Sequence, residues 1–209
     1  MELKGKKINF LGDSITKGTG ASTYPNCYVA QFAAKTGAIC RNYGIGGTRI
    51  ARKKVPSEVA RRDQDFCSRV EEMDPDADLI VVFGGSNDYG HGDAPLGKMS
   101  DRTVWSFYGA LHVLYTSLIE KYPTAPIVVL TPLHRVTESD KQPELRDFVS
   151  AVREVAEYYS LPVLDLFAAS GLQPCVPVIR ERFIPDGLHP NDAGHAVLAD
   201  KLISFLKQM

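Results

Sequence analysis

Two periods of apolar positions alternate along the chain. Five segments have the length and character of strands: residues 8–11, 39–43, 79–83, 127–130 and 162–166. The third, Leu79-Ile80-Val81-Val82-Phe83, is a continuous β-branched run, the mark of a central strand covered on both faces. Between and after the strands, apolar residues recur at helical spacing. Residues 24–35 place Tyr28, Phe32 and Ala33 on one side and end at Gly37. Residues 58–73 form a charged, weakly amphipathic segment closed by Pro75. Residues 104–121 (Phe107, Leu111, Leu114, Leu118), 143–159 (Leu145, Phe148, Val152, Val155) and 192–207 (Val197, Leu198, Leu202, Leu206) complete the set. Strands that alternate with helices predict an α/β fold with a parallel sheet. Right-handed crossovers make it a three-layer α/β/α sandwich. No repeat or linker interrupts the 209 residues, so a single domain is expected.

Composition adds little to this and excludes a few partners. Hydrophobic content of 44% and charged content of 23% are ordinary, and a net charge of −1 does not suit nucleic acid or an anionic membrane. Cys27, Cys40, Cys67 and Cys175 are scattered with no CxxC pair, so buried thiols are expected instead of a disulfide framework or a zinc site. The basic start is followed by an apolar run too short for a signal peptide, and nothing approaches the ~20 apolar residues of a membrane span. A cytoplasmic protein is the default expectation.

The polar residues carry more information through where they fall. Residues 8–11 stop at Gly12, which puts Ser14 just past the carboxyl end of the first strand. A serine there can simply cap a helix. However, Gly47 follows the second strand, Asn87 follows the third, and Asp186 with His189 precedes the last helix. Parallel strands point their carboxyl ends at one edge, so the first three clusters converge, and the fourth can reach the same edge. Acyl transfer needs this set. Ser14 attacks a carbonyl, His189 takes the proton, and Asp186 holds the imidazole. The Ser14 and Gly47 N–H groups and the Asn87 amide serve as oxyanion donors.

In order, Gly12-Asp13-Ser14, the Gly47 turn, Gly85-Ser86-Asn87-Asp88 and Asp186-Gly187-Leu188-His189 resemble the four sequence blocks of the SGNH (GDSL) hydrolases, across residues 8–190. The resemblance implies a flavodoxin-like, five-stranded parallel sheet in the order 2-1-3-4-5. It also implies ester hydrolysis through an acyl-enzyme with no metal or cofactor, and Asp186 as third member of the triad. The run Gly46-Gly47-Thr48-Arg49 leaves the second-block glycine open by one position. Asp13, Asp88, His91, His134 and Arg135 are expected to support the site or to rim the substrate. His112 reads as a core histidine, and His195 has no evident partner.

Other chemistries match less of the chain. Ser14-Ile15-Thr16-Lys17 and Lys35-Thr36-Gly37 imitate motifs of penicillin-interacting enzymes, but no S-D-N follows. Residues 12–18 are a near miss for a P-loop. The hydroxyl-rich stretch 14–19 also resembles the phosphate loop of flavodoxins, so a flavin- or phosphate-binding module is the rival from another class. That reading sets Asp13 against a phosphate and leaves Asp186 and His189 unused. Residues 88–102, 132–143 and 168–187 are polar, with few large apolar side chains, which suits a short acyl group such as acetyl on a polar alcohol such as a sugar. A thioesterase or an acyltransferase would use the same triad.

Overall fold

The computed structural model describes residues 2–209. Five parallel strands, β1 (Lys7–Gly12), β2 (Ile39–Gly44), β3 (Leu79–Phe83), β4 (Ile127–Leu130) and β5 (Val163–Leu164), form one sheet in the order β2-β1-β3-β4-β5. The helices are α1 (Ser14–Lys17), α2 (Tyr28–Thr36), α3 (Phe66–Arg69), α4 (Ser86–His91), α5 (Phe107–Lys121), α6 (Leu145–Tyr158), α7 (Leu166–Ala169), α8 (Pro177–Phe183) and α9 (Asp192–Gln208).

The period of two along each strand splits the core into two layers. Leu11, Ile80, Val82, Ile127 and Val129 face α5 and α6, where Leu111, Leu114, Val149 and Val152 cover them. Ile8, Phe10, Leu79, Val81, Phe83, Val128 and Leu130 face α2 and α9, against Tyr28, Phe32, Leu198 and Leu202. No residue of β3 is more than 3% exposed, and each such side chain contributes about 1.5–3 kcal/mol by leaving water. The polar exception, Asn9 in the central β1, is satisfied. Its amide N–H groups donate to the Asp74 carbonyl and the Tyr122 hydroxyl, and Arg41 donates to its oxygen.

Chain order explains where a ligand can enter. From β1 the chain crosses through α2 to β2 on one side, then passes back through α3 to β3 on the other. The carboxyl ends of β1 and β3 therefore flank the point where strand order reverses, and open parallel sheets bind ligands at this point.

Three expectations change here. The segment 58–73 is not one helix; it is a 3-10 turn (Ala60–Asp63) followed by the four-residue α3. Asp65 caps α3 by accepting from the Ser68 N–H, and Asp63 accepts from Ser57 and Arg49, so side chains that would line a helix surface are drawn into loop contacts. The fifth strand is cut to two residues because Asp165 already caps α7. All four cysteines are free, but only Cys27 is fully buried and Cys175 is exposed. Among the described residues, no helix is long and apolar enough to cross a membrane.

Candidate active site

Ser14 opens α1, whose N-cap is Asp13; the Asp13 carboxylate accepts from the Ile15 N–H at 3.0 Å. Burial pushes this carboxyl up to about 6, against the pull of the Ile15 N–H and of the His189 and Arg69 charges. The helix can press onto the strand end because Gly12 has no Cβ. One placed there would lie 2.0 Å from the Thr16 hydroxyl.

The Ser14 hydroxyl lies 3.0 Å from His189 Nε2. On the far side of the ring, His189 Nδ1 lies 2.7 Å from an Asp186 carboxylate oxygen. The second Asp186 oxygen accepts the His189 and Leu188 N–H groups, at 2.7 and 2.9 Å. Burial raises this carboxyl, but those N–H donors and the imidazole outweigh it and hold it below the usual carboxylate range. An ionised Asp186 requires the proton on Nδ1. Nε2 is then the bare nitrogen, facing the serine hydroxyl.

His195 locks the two sides of this contact together. It is buried, accepts the Tyr28 N–H at Nδ1 and donates from Nε2 to the Thr19 carbonyl, so α9, which follows His189, is tied to the loop that follows Ser14. Asp192 adds to the tie by accepting from the Ser22 N–H and hydroxyl. The partners of His195 are not visible in the sequence because both are backbone groups far away along the chain.

The second cluster is a tight turn, with the Thr48 N–H donating to the Ile45 carbonyl. Gly47 sits in it at φ +82, a conformation that strains any residue with a Cβ, and a Cβ would also lie 2.9 Å from the Arg62 side chain. At Gly46 a Cβ would meet nothing closer than 3.8 Å. The requirement for glycine therefore falls on Gly47, and its N–H has no protein partner among the described residues.

Asn87, in the first turn of α4, is tied to that turn through its amide N–H, which donates to the Thr48 carbonyl at 2.9 Å. The orientation of the amide follows from its other neighbours. Arg49 lies 3.2 Å from His91 Nδ1, and since a guanidinium only donates, Nδ1 accepts. The ring proton is then on Nε2 and donates to the Asn87 carbonyl oxygen at 3.2 Å. Burial, followed by the charges of Arg49 and Arg62, pushes His91 down to about 4, so the ring is neutral at neutral pH. With its oxygen held by His91, Asn87 presents nitrogen on the Thr48 side and keeps one N–H free.

Ser14, Lys17, Thr19, Gly46, Gly47, Arg61, Arg62, Asn87, His91, Leu188 and His189 line one cleft of about 330 Å³. Asp88 lies outside it. Its two oxygens accept the Ile50 and Ala51 N–H groups at 3.0 and 2.8 Å, and burial pushes it up to about 7 despite those donors. It is a scaffold carboxyl, as is Asp13.

Two expected rim residues are elsewhere. His134 bonds Glu138 at 2.7 Å and lies over Phe167, and Arg135 stacks on Tyr89 and donates to Thr137. Both are absent from the cleft: Arg135 is drawn to α4, where it also donates to the Ser86 carbonyl, and His134 is held by Glu138. His91 is in the cleft but belongs to α4, not to a loop.

Nothing in the sequence marks Arg49 and Arg69 as part of the site, since buried arginine is rare and no local pattern signals it. Arg69, 2% exposed, donates to the carbonyls of Tyr43 and Gly12 and to the Thr48 hydroxyl, clamping β1, β2 and the Gly47 turn together. Burial pushes it down to about 10. Arg49 pairs with Asp63 at 2.9 Å and holds the Arg62 carbonyl.

The phosphate-loop alternative fits this geometry poorly. The helix start that a phosphate would use is already occupied by the Asp13 carboxylate, and the Ser14 hydroxyl faces an imidazole.

Residues 10–197 match the GDSL-like lipase/acylhydrolase family. The chain is 27% identical over 207 residues to a GDSL lipase of Mycobacterium tuberculosis, covering 95% of this chain and 80% of that one. A solved protein from Lactobacillus plantarum is 33% identical, with TM-score 0.87 and coverage of 99% of this chain and 98% of the other. An acetylxylan esterase of Geobacillus stearothermophilus shares the fold at TM-score 0.66 and 22% identity, over 98% of this chain and 96% of its own. With the family match spanning nearly its whole length, the chain belongs to the GDSL-like lipase/acylhydrolase family and is a carboxylic ester hydrolase.

Proposed function

We propose that the protein hydrolyses short-chain acyl esters of polar alcohols through a Ser14–His189–Asp186 triad and an acyl-enzyme. The observation that carries this reading is the unbroken chain from the Ser14 hydroxyl through both ring nitrogens to the Asp186 carboxylate, at 3.0 and 2.7 Å. Nε2 takes the serine proton as Oγ attacks the ester carbonyl, and the Asp186 charge stabilises the imidazolium. The carbonyl oxygen becomes an anion. It is met by the Ser14 and Gly47 N–H groups and by the free Asn87 N–H, whose direction is set by His91 and Arg49. His189 then returns the proton to the leaving alcohol, and the acyl group stays on Oγ. A water molecule, deprotonated by the same nitrogen, attacks the acyl-enzyme and releases the acid.

The proposed acyl length follows from the walls. Leu188 is the one large apolar side chain among the cleft residues, which offers no groove for a long chain but room for an acetyl group. Acetylated sugars fit this description. A panel of esters and thioesters, graded in acyl length and in polarity of the leaving group, tests it. The expected result is kcat/KM falling steadily beyond four carbons, with oxygen esters ahead of thioesters. A preference for long chains would overturn the substrate assignment, and a faster thioester series would make the protein a thioesterase.

A further inference from the structure

The cleft beside Ser14 carries a concentration of positive charge that the hydrolytic machinery does not use. Lys17, Arg61 and Arg62 line it, and no Asp or Glu does. None of these three side chains has a carboxylate partner among the described residues. Two acids of the neighbouring segments are committed elsewhere: Asp63 to Arg49 and Ser57, Asp186 to His189. The chain as a whole has net charge −1, so the cluster is not a sample of a generally basic surface.

The cluster is also held in place. The 3-10 turn that bears Arg61 and Arg62 is anchored from beneath by Arg49, a side chain 2% exposed, which donates to the Arg62 carbonyl and pairs with Asp63. The stem of Arg62 lies across Gly47, where a Cβ would be 2.9 Å from its Cγ and 3.1 Å from its Nε. A guanidinium so placed stands next to the oxyanion donors, and its charge is felt as far as His91. Lys17 reaches the same cleft from α1, one turn beyond Ser14.

We propose that this is a specificity site for an anionic group, a carboxylate, sulfate or phosphate, carried by the ester substrate. The proposal rests on the ester-hydrolase reading of Ser14. Two pairs of esters, each differing by an anionic group, test it. One is the 4-nitrophenyl ester of succinate against that of pentanoate, which puts the charge on the acyl side. The other is acetylated glycerol phosphate against acetylated glycerol, which puts it on the alcohol side.

In at least one pair the anionic member should have a kcat/KM about tenfold higher at low salt, mainly through KM, as charge-assisted contacts of exposed arginines allow. Raising the salt towards 1 M should shrink the ratio, because screening then acts within ~3 Å. The double variant Arg61→Gln/Arg62→Gln should bring the ratio close to 1. Calorimetry on Ser14→Ala should show the same preference in binding, without turnover.

Ratios near 1 in both pairs, or a ratio indifferent to the double variant, would overturn the anion site and leave the hydrolase standing. Selective binding to Ser14→Ala with no turnover of any ester by the wild type would do the reverse.

Discussion

The carboxyl ends of β1 to β3 and those of β4 and β5 lie along one edge of one sheet, yet they do different things. After β4 and β5 the polar side chains close on one another. Thr131 donates to Asp165, Asp165 pairs with Arg153, and His134 pairs with Glu138. After β1, β2 and β3 they are left partly open. The Gly47 N–H, one Asn87 N–H and three cations face the cleft without protein partners among the described residues, with Arg49, Arg69, Asp13 and Asp88 bracing the turns behind them. Strand order supplies the difference, because the reversal between β1 and β3 leaves a gap that crossover helices cannot fill. Loop polarity alone does not mark a site. Polar groups that are positioned but unsatisfied do.

The comparison can be broken or sharpened by substitutions on each side. His189→Ala should lower kcat by about 10⁴-fold or more, since members of a triad act as a unit; steady-state kinetics on a chromogenic acetate reads this. Asn87→Ala should lower kcat by about 10²–10³-fold with little change in KM, because its free N–H is matched to charge that develops in the transition state. Asn87→Asp should be at least as poor, a carboxylate there repelling the oxyanion. An effect on KM alone would make Asn87 a general substrate contact.

His91→Leu should cost about tenfold in kcat by releasing the Asn87 amide to turn over. That loss should vanish in an Asn87→Ala background, since two residues acting through one hydrogen bond are not additive. Persistence of the loss in the double variant would give His91 a separate role. On the other side of the comparison, His134→Ala and Arg135→Ala should stay within about twofold of the wild type, the usual outcome for substitutions away from the reacting groups. A large loss at either position would extend the site to the loop after β4.

The smallest effect is on stability. Asp13 and Asp88 are raised above the ordinary carboxyl value, to about 6 and about 7, so between about pH 4 and 7 the folded protein holds protons that the unfolded chain gives up. Their contribution is fully present below pH 4 and is lost as the pH rises through 7. His91, His112 and His195 are lowered by burial and act in the opposite sense. The readout is therefore the difference between wild type and Asp88→Asn. Its melting temperature relative to the wild type should be a few degrees higher at pH 8 than at pH 5, and a gap that stays constant with pH would place Asp88 outside the titrating set.

Much of the edge was legible in the sequence. The bounds of β3 and β4 coincide with the apolar runs at 79–83 and 127–130, because fully covered strands leave an uninterrupted signal. Ser14, Gly47, Asn87 and His189 stood out because each follows an element boundary. What was not legible depends on contacts between distant residues. Residues 58–73 looked helical by spacing, but Asp63 and Asp65 are spent on loop contacts and the segment becomes a brace for the cleft. His91 and His134 looked equivalent, each a histidine a few residues past a strand. They were separated only by Arg49 and Glu138, the partners that the fold brings to them.

The central claim is that Ser14 is the nucleophile and that His189 activates it. A serine-directed phosphonate followed by peptide mass mapping tests this most directly. A single adduct on Ser14 is expected, forming orders of magnitude more slowly in His189→Ala, with Ser14→Ala unlabelled and inactive. An adduct on another serine, or turnover that persists in Ser14→Ala, would contradict it.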